Sequence, residues 1–523
     1  MRQSQNENAN HARRQSCIFF ESVLAKKVRT DPDTMRTISC WRRNIGILPY
    51  LLMSIITSQS GCEITKSGST EPSADPLTGA LGMEKQITHG AGGRILTNTG
   101  VWSPNGEWLV YDTRGDAAGD GFNGATIEVV NIHTGEVREV YRARNGANCG
   151  VVTFHPHENK VVFILGPENP TADWQYGMYH RQGVIVEADL GKTHLSSAMA
   201  RPSPTNLDAC DITPPFTAGA LRGGSHVHVW DAAGQWVSFT YEDHVMAQFT
   251  NASPTNDINL RNVGVSVPVR PVHVKKDHPR NHDAEYFSVL ATRTTANPKP
   301  GSDEIKKAFE EGWVGTNGYL RADGSHQRHA LAFQGHVVTK DGETIAEVFI
   351  ADLPDDVTQP GDGALAGTET RLPCPPKGCT QRRLTSTSQR KFPGIQGPRH
   401  WLRSSPDGSR IAFLMKDDAG VVQLWTVSPN GGPPAQLTRN PWSVASAFTW
   451  SPDGRRIAYV MDNSVCVTEV TSGKTKRVTA RTDDATAPRS EACVFSPDGK
   501  KIAYLRRLAQ AGQAANQIFV VSL

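Results

Sequence analysis

Long apolar runs are scarce in this chain of 523 residues. The run that stands out, 45–57 (IGILPYLLMSIIT), has 13 residues, whereas a bilayer span needs about 20. A bundle of membrane helices is therefore excluded. Charge of one sign is not in excess: 55 Lys and Arg face 52 Asp and Glu, a net charge of +3. That balance argues against a general nucleic-acid binder, which needs a basic excess on one face. No Gly-x-x-x-x-Gly-Lys-Ser/Thr loop, no dinucleotide fingerprint and no His-Glu-x-x-His is present, so nucleotide and zinc-protease chemistry lack support. Cysteine is sparse, with nine residues: Cys17, Cys40 and Cys62 lie near the N-terminus and six lie beyond. Cys374 and Cys379 frame a short loop, CPPKGC, and no second pair of similar spacing exists. A disulfide or free thiols are expected there rather than a zinc site. What is abundant is turn-forming residues, 47 Gly and 33 Pro, beside 38% hydrophobic residues. Many short strands around a large core follow from that composition.

The first sixty residues read as an address. Residues 1–34 are polar and aperiodic, and Met1 or Met35 is the start. From Met35, Arg36, Arg42 and Arg43 precede the apolar run, and Ser60-Gly61-Cys62 follows it. That order is a signal peptide, and Ser-Gly-Cys resembles a bacterial lipobox, with Gln59 where an aliphatic residue is usual. The resemblance implies lipidation of Cys62. Residues 63–82 then read as a flexible linker, and 83–523 as one folded body.

One pattern recurs through that body: an apolar strand, Ser-Pro-Asp/Asn-Gly, and a second strand. It stands as VWSPNGEWLVYDTR from Val101, SSPDGSRIAFLMK from Ser404, TWSPDGRRIAYVMD from Thr449 and VFSPDGKKIAYLRR from Val494. Weaker copies begin at Thr153 and Val229. Pro presets the turn, Asp or Asn caps it, and Gly takes the left-handed position. The flanking alternation has the period of a strand. A third strand such as VQLWTVSP and a fourth such as AQLTR, KRVTA or RRLTS follow. Four antiparallel strands per repeat describe a propeller blade. Unit starts near 98, 150, 226, 285, 398, 445 and 491 predict seven blades, with six and eight as alternatives. In the fourth unit, residues 302–313 (SDEIKKAFEEGW) predict an inserted helix capped by Ser302. The chain ends in a third-strand pattern (IFVVSL), while 84–88 (EKQIT) has a fourth-strand pattern with no blade before it. The N-terminal strand is thus expected to close the ring.

The repeats resemble those of TolB-like, WD40-like propellers. The stretches ILTNTGVWSPNGEWLVYDTR, FILGPENP, GALRGGSHVHVWDAAGQWVSFTYEDHVM, PGSDEIKKAFEEGW and RIAFLMKDDAGVVQLWTVSPNGG are similar to the YidR-like family of bacterial proteins. The resemblance covers nearly everything from Met83 onward and implies an all-β, TolB-like fold. TolB carries an α/β domain before its propeller, and 63–82 leaves no room for one, so a Tol–Pal role is not expected. The prolyl-oligopeptidase family follows such a propeller with a hydrolase domain. Here the chain stops at Leu523 and lacks a Gly-x-Ser-x-Gly elbow, so serine-peptidase chemistry is not expected either.

The innermost strand of each blade lines the channel. Aligned on Trp102-Ser103, Asn98 matches His226, His400, Ser446 and Glu491, and Gly100 matches His228, Leu402, Phe448 and Cys493. Two residues apart on a strand, His226 and His228 are expected on one face. With His400, and with Glu491 and Asn98 as oxygen donors, they are candidate ligands for manganese, zinc or calcium. Oligogalacturonate lyases, propellers with a histidine-bound manganese, carry a His-x-His pair to which His226-Val227-His228 is similar. Their ligand glutamine before the pair has no counterpart in Leu221-Arg222-Gly223-Gly224-Ser225. Arg222 is a candidate clamp for a carboxylate, or a structural turn residue, and His180 or His244 a candidate base. The loop 172–183 (ADWQYGMYHRQG) is expected either to rim the pocket or to pack as structure.

Two functions are expected. The first is an exported, monomeric binding module in the periplasm or on the outer membrane, held to the membrane only by its lipid. It presents the channel mouth to a small molecule, a carbohydrate or a protein of the cell envelope. The second is a metal-dependent lyase acting on acidic oligosaccharides. Convergence of His226, His228 and His400 on one point discriminates them.

Overall fold

The computed structural model describes residues 77, 80–115, 119, 121–191, 203–249, 258–510 and 513–523. The signal segment, the lipobox at Cys62 and most of the linker lie outside the described residues. No described helix is long and apolar enough to cross a membrane.

Seven four-stranded antiparallel sheets follow one another along the chain. Their innermost strands are Gly93–Ile95, Cys149–Phe154, Gly223–Trp230, Ala308–Trp313, Arg403–Ser404, Thr449–Trp450 and Pro488–Phe495, which number blades 1 to 7. The predicted closure is present: Met83–Gln86 pairs with the last strand, Gln513–Ser522, in the register Met83↔Ser522 to Gln86↔Phe519. The outer edge of blade 7 is thereby occupied by the chain's own N-terminal strand.

The turn chemistry explains the repeat. The Ser405, Ser451 and Ser496 hydroxyls each donate to the Asp two residues on at 2.5 Å. Each then accepts the amide five residues on, from Arg410, Arg456 and Lys501, at 2.9–3.1 Å. The glycines that close these turns have φ of 68–72°, which explains why no other residue recurs there. The serine bonds hold the Asp407 and Asp453 carboxyls below the ordinary range.

The core lies between the sheets, one apolar cluster at each of the seven interfaces. The interface of blades 2 and 3 has the smallest cluster, Val162, Ile185, Leu207, Trp230 and Val237. A polar chain is buried there. The Ser225 hydroxyl donates to Asp208 at 2.7 Å, and His228 Nε2 lies 3.0 Å from the same hydroxyl. A Cβ on Gly183 would stand 2.6 Å from His228 Nε2 and 2.8 Å from Asp208 Oδ1, so a side chain is excluded there.

Two expectations are corrected. Residues 302–313 form no helix. Ser302 makes a turn, accepting the Glu304 amide and donating to the Lys299 carbonyl, and Ala308–Trp313 is the inner strand of blade 4. The segment Phe287–Leu290, placed at the start of the fourth unit, is instead the outer strand of blade 3. Cys374 and Cys379 are free thiols. Cys379 Sγ lies 3.3 Å from the Ala291 carbonyl and packs against the core of blades 3 and 4, which turns it away from its neighbour.

Candidate functional site

Second strands end, and third strands begin, around one mouth of the channel, called here the upper mouth; the Ser-Pro-Asp-Gly turns surround the lower one. A cavity of about 620 Å³ opens at the upper mouth, within the size range of small-molecule sites. Arg114 ends the second strand of blade 1 and Arg181 precedes the third strand of blade 2. Arg261 precedes the third strand of blade 3, and Arg399 precedes the inner strand of blade 5. All four line the cavity, where among the described residues Glu491 is the one lining carboxylate. Phe122 and Tyr176, stacked at 4.3 Å, form part of its wall with Met178 and Trp401.

These arginines are positioned by acidic partners. Arg114 is forked onto Asp112, Nε–Oδ1 2.7 Å and Nη2–Oδ2 3.1 Å. Buried Glu242 takes both Arg181 (3.1 Å) and Arg261 (2.6 Å), so one carboxylate serves two cations. Arg399 pairs with Glu310 at 2.9 Å, and Glu491 is held by Arg489 at 2.6 Å. The buried Arg181 Nε has no hydrogen-bond partner among the described residues.

His226 lines this cavity, and His228 does not. The register of Gly223–Trp230 shifts between His226 and Val229, with Val227 at φ 56°. This β-bulge breaks the alternation and turns His228 into the blade 2–3 interface. The expectation that the pair shares a face is therefore overturned. The same φ of 56° recurs at Val151 and Glu310, beside register shifts in the inner strands of blades 2 and 4.

The metal expectation fails on geometry. His400 spends both ring nitrogens on backbone: Nδ1 lies 2.9 Å from the Pro398 carbonyl, and Nε2 accepts the Leu414 amide at 3.1 Å. Ser446, its equivalent in blade 6, likewise accepts the Val460 amide at 2.7 Å. The alignment of the two positions was right, and their common task is to satisfy a second-strand amide above a two-residue inner strand. Asn98 lines the cavity but accepts from Arg403. Burial, and then the guanidiniums of Arg181, Arg261 and Arg399, hold the His226 imidazole neutral, well below its ordinary range. The positive potential that repels a proton also opposes a divalent cation. Among the described residues, no group of three or more His, Cys, Asp or Glu is arranged to hold a metal ion. The residues present do not fit manganese, zinc or calcium.

Arg222 is not a clamp. Fully buried, it donates from Nε (3.1 Å) and Nη2 (2.8 Å) to Asp243, and from Nη1 and Nη2 to the Thr368 and Arg371 carbonyls. Its work is to tie blade 3 to the loop around 368–371. His180 and His244 stand outside the upper cavity. Their Nε2 and Nδ1 are 2.9 Å apart, and Trp174 stacks on His180 at 3.8 Å, beside a pocket of about 300 Å³. The loop 172–183 thus serves both spaces: Tyr176, Met178 and Arg181 face the channel, while Trp174, Tyr179 and His180 face the side pocket, which Arg181 also borders. The four arginines were missed by sequence reasoning. Their signal was position, since three of them stand at the mouth-side end of a second or third strand.

Comparison with known proteins bears on the family and the fold. A family model described as a protein of unknown function (DUF3748) matches residues 148–282. The dipeptidyl peptidase IV N-terminal region model matches 433–508. Among solved structures, an oligogalacturonate lyase in complex with manganese aligns at a TM-score of 0.48 and 10% identity, covering 84% of this chain and 93% of that one. TolB from Acinetobacter baumannii aligns at 0.30 and 12% identity, covering 80% and 81%. The uncharacterized protein YidR of Escherichia coli (strain K12) is 49% identical over 425 residues, 80% of this chain and 94% of that protein. With seven blades in place and that identity over most of its length, the chain belongs to the YidR family of β-propeller proteins.

Proposed function

We propose that this propeller is a binding module that takes a small polyanion in its upper mouth. The observation that carries the reading is the convergence of Arg114, Arg181, Arg261 and Arg399 from four different blade segments on one cavity, with Glu491 the one lining carboxylate among the described residues. Guanidiniums held in a fork geometry in a partly dry cavity are suited to carboxylate or phosphate groups. Neutral His226 adds a hydrogen-bonding nitrogen that does not compete for charge. The strained bulges at Val151 and Val227, both lining residues, fit a site that is organised before its ligand arrives.

Calorimetric titration of the full chain with citrate and with inorganic phosphate tests this. Binding should weaken steeply with salt. The R399Q variant should lose about tenfold in affinity, because Arg399 is the most exposed of the four mouth arginines. Absence of binding by either anion at low salt would sink the reading. The metal-dependent lyase has no comparable support, given the spent nitrogens of His400 and the turned ring of His228.

Export and a lipid anchor at Cys62 belong to the same proposal, supported by Arg36, Arg42 and Arg43 before the apolar run and Ser-Gly-Cys after it. In cells fed an alkyne-tagged palmitate, the protein should incorporate label and the C62A variant should not. Equal labelling of the two would remove the anchor from the proposal.

A further inference from the structure

The channel holds two cavities with no lining residue in common. Arg403, at the start of the blade 5 inner strand, donates from Nη2 to Asn98 Oδ1 of blade 1, across the ring. Asn98 lines the upper cavity, while Arg403 lines a second one of about 320 Å³ at the lower mouth. The two chambers have opposite chemistry. The lower wall is built from the rings of Trp102, Trp313, Trp450 and Phe495 and the prolines of the turns, and among the described residues Arg403 is its one charged side chain.

Most polar groups of that wall are already used. The indole N–H groups of Trp102, Trp313 and Trp450 donate at 3.0 Å to the carbonyls of Val494, Val229 and Arg403. The Ser405, Ser451 and Ser496 hydroxyls serve their own turns. Arg403 is the exception. The arginines of the upper mouth each have a carboxylate partner, but Arg403 has none within ion-pair distance among the described residues. Its side-chain hydrogen bond goes to a neutral amide oxygen. Burial lowers its pKa to about 10, and the charge of Glu311 opposes that effect. A carboxylate entering the chamber adds the Coulomb attraction of a full opposite charge, which the neutral Asn98 amide lacks, and so competes with Asn98 for Arg403.

The geometry points to the lower chamber as a second binding site, for a small monocarboxylate with an apolar body, inserted acid first onto Arg403 with its body between the tryptophans. It would operate whether or not the upper mouth takes a polyanion, since the two cavities have no lining residue in common.

The test is titration of the full chain with 4-phenylbutyrate and with its uncharged counterpart, 4-phenylbutyramide, followed by calorimetry and tryptophan fluorescence. The acid should bind one to one and the amide at least about tenfold more weakly. R403M should abolish acid binding while leaving the melting temperature unchanged or raised, because it removes a cation that has no carboxylate partner. A purely structural Arg403 would give the reverse, a lowered melting temperature with acid binding retained. N98A should tighten acid binding several-fold by removing the competing acceptor, and it keeps the proposal testable if R403M does not fold. Equal affinity for acid and amide, no binding of the acid, or wild-type affinity in R403M or N98A would each overturn the assignment. Citrate binding at the upper mouth together with failure of phenylbutyrate would end this proposal alone.

Discussion

Val227 is held at a φ of 56°, which costs a β-branched residue about 1–3 kcal/mol. That single torsion decides which histidine meets the channel. Strict alternation puts His226 and His228 on one face, and nothing in Gly-Ser-His-Val-His-Val signals a bulge, because a valine at positive φ is what propensity argues against. The individual residue types were legible, and their directions were not. His228 is used instead in the buried chain with Ser225 and Asp208. Burial raises the Asp208 carboxyl from 3.8 to about 6, against the bonds it accepts from Ser225 and the Gly183 amide. Because its folded pKa lies above the unfolded value, ionisation is harder in the native state. Stability is therefore greatest below about pH 4 as far as this group is concerned, and declines as pH rises toward 6, by about 3 kcal/mol at about 1.4 kcal/mol per unit. D208N keeps an acceptor for Gly183 and cannot ionise. Urea denaturation at a series of pH values should show the variant gaining on the wild type between pH 4 and 7. A constant difference across that range would mean that Asp208 titrates normally.

Elements were most legible where turn chemistry is local. Ser-Pro-Asp-Gly is a complete hairpin instruction, and the second strands after it lie where alternation puts them. The inner strand of blade 4 was misread because Ser302, Asp303 and Glu304 imitate a helix start. Its strand character rests on pairing with His329–Val338, residues sixteen or more positions away. Contacts between blades are equally hidden from local reading. A tryptophan of blade 1, of blade 4 and of blade 6 donates its indole N–H to the inner strand of the preceding blade. Thr449 does the same in the other direction, from blade 6 to the Cys493 carbonyl of blade 7, at 2.7 Å. These bonds tie neighbouring sheets near the axis, where the apolar clusters taper. W450F removes one tie and leaves the part-buried Arg403 carbonyl without its indole donor. It should cost about 1–2 kcal/mol in equilibrium denaturation with the slope unchanged. A loss indistinguishable from zero would mean that the blade 5–6 cluster alone sets that interface.

At the scale of the whole molecule, the ring brings together what the chain separates. Arg114 and Arg399 are 285 positions apart (399 minus 114) and line one cavity. No spacing rule along the sequence links them; Arg114 at the end of a second strand and Arg399 in the segment before an inner strand come to one mouth only once the blades are closed into a ring. Closure itself was legible, because a fourth-strand pattern at 84–88 lacks a blade and the last blade lacks a fourth strand. The physical weight of that strand exceeds its four paired residues. Ile87 packs with Leu96, Trp102, Ile518 and Val520, joining the blade 7 to blade 1 cluster. Lys85 donates to the Ile132 carbonyl at 2.8 Å, and Glu84 pairs with the nearly buried Arg506 at 2.9 Å. Removing the strand therefore opens one edge of Gln513–Ser522, uncovers an apolar interface and strips Arg506 of its carboxylate at once. A chain beginning at residue 89 should melt at least about 4 °C lower, the shift that roughly 2 kcal/mol gives in a large domain. It should also form concentration-dependent dimers or larger species in gel filtration, as an unpaired edge recruits a second chain. If that chain stays monomeric and melts with the intact protein, the ring is held by its seven interfaces without the closing strand, and the preformed upper mouth on which the proposed polyanion site depends owes nothing to closure.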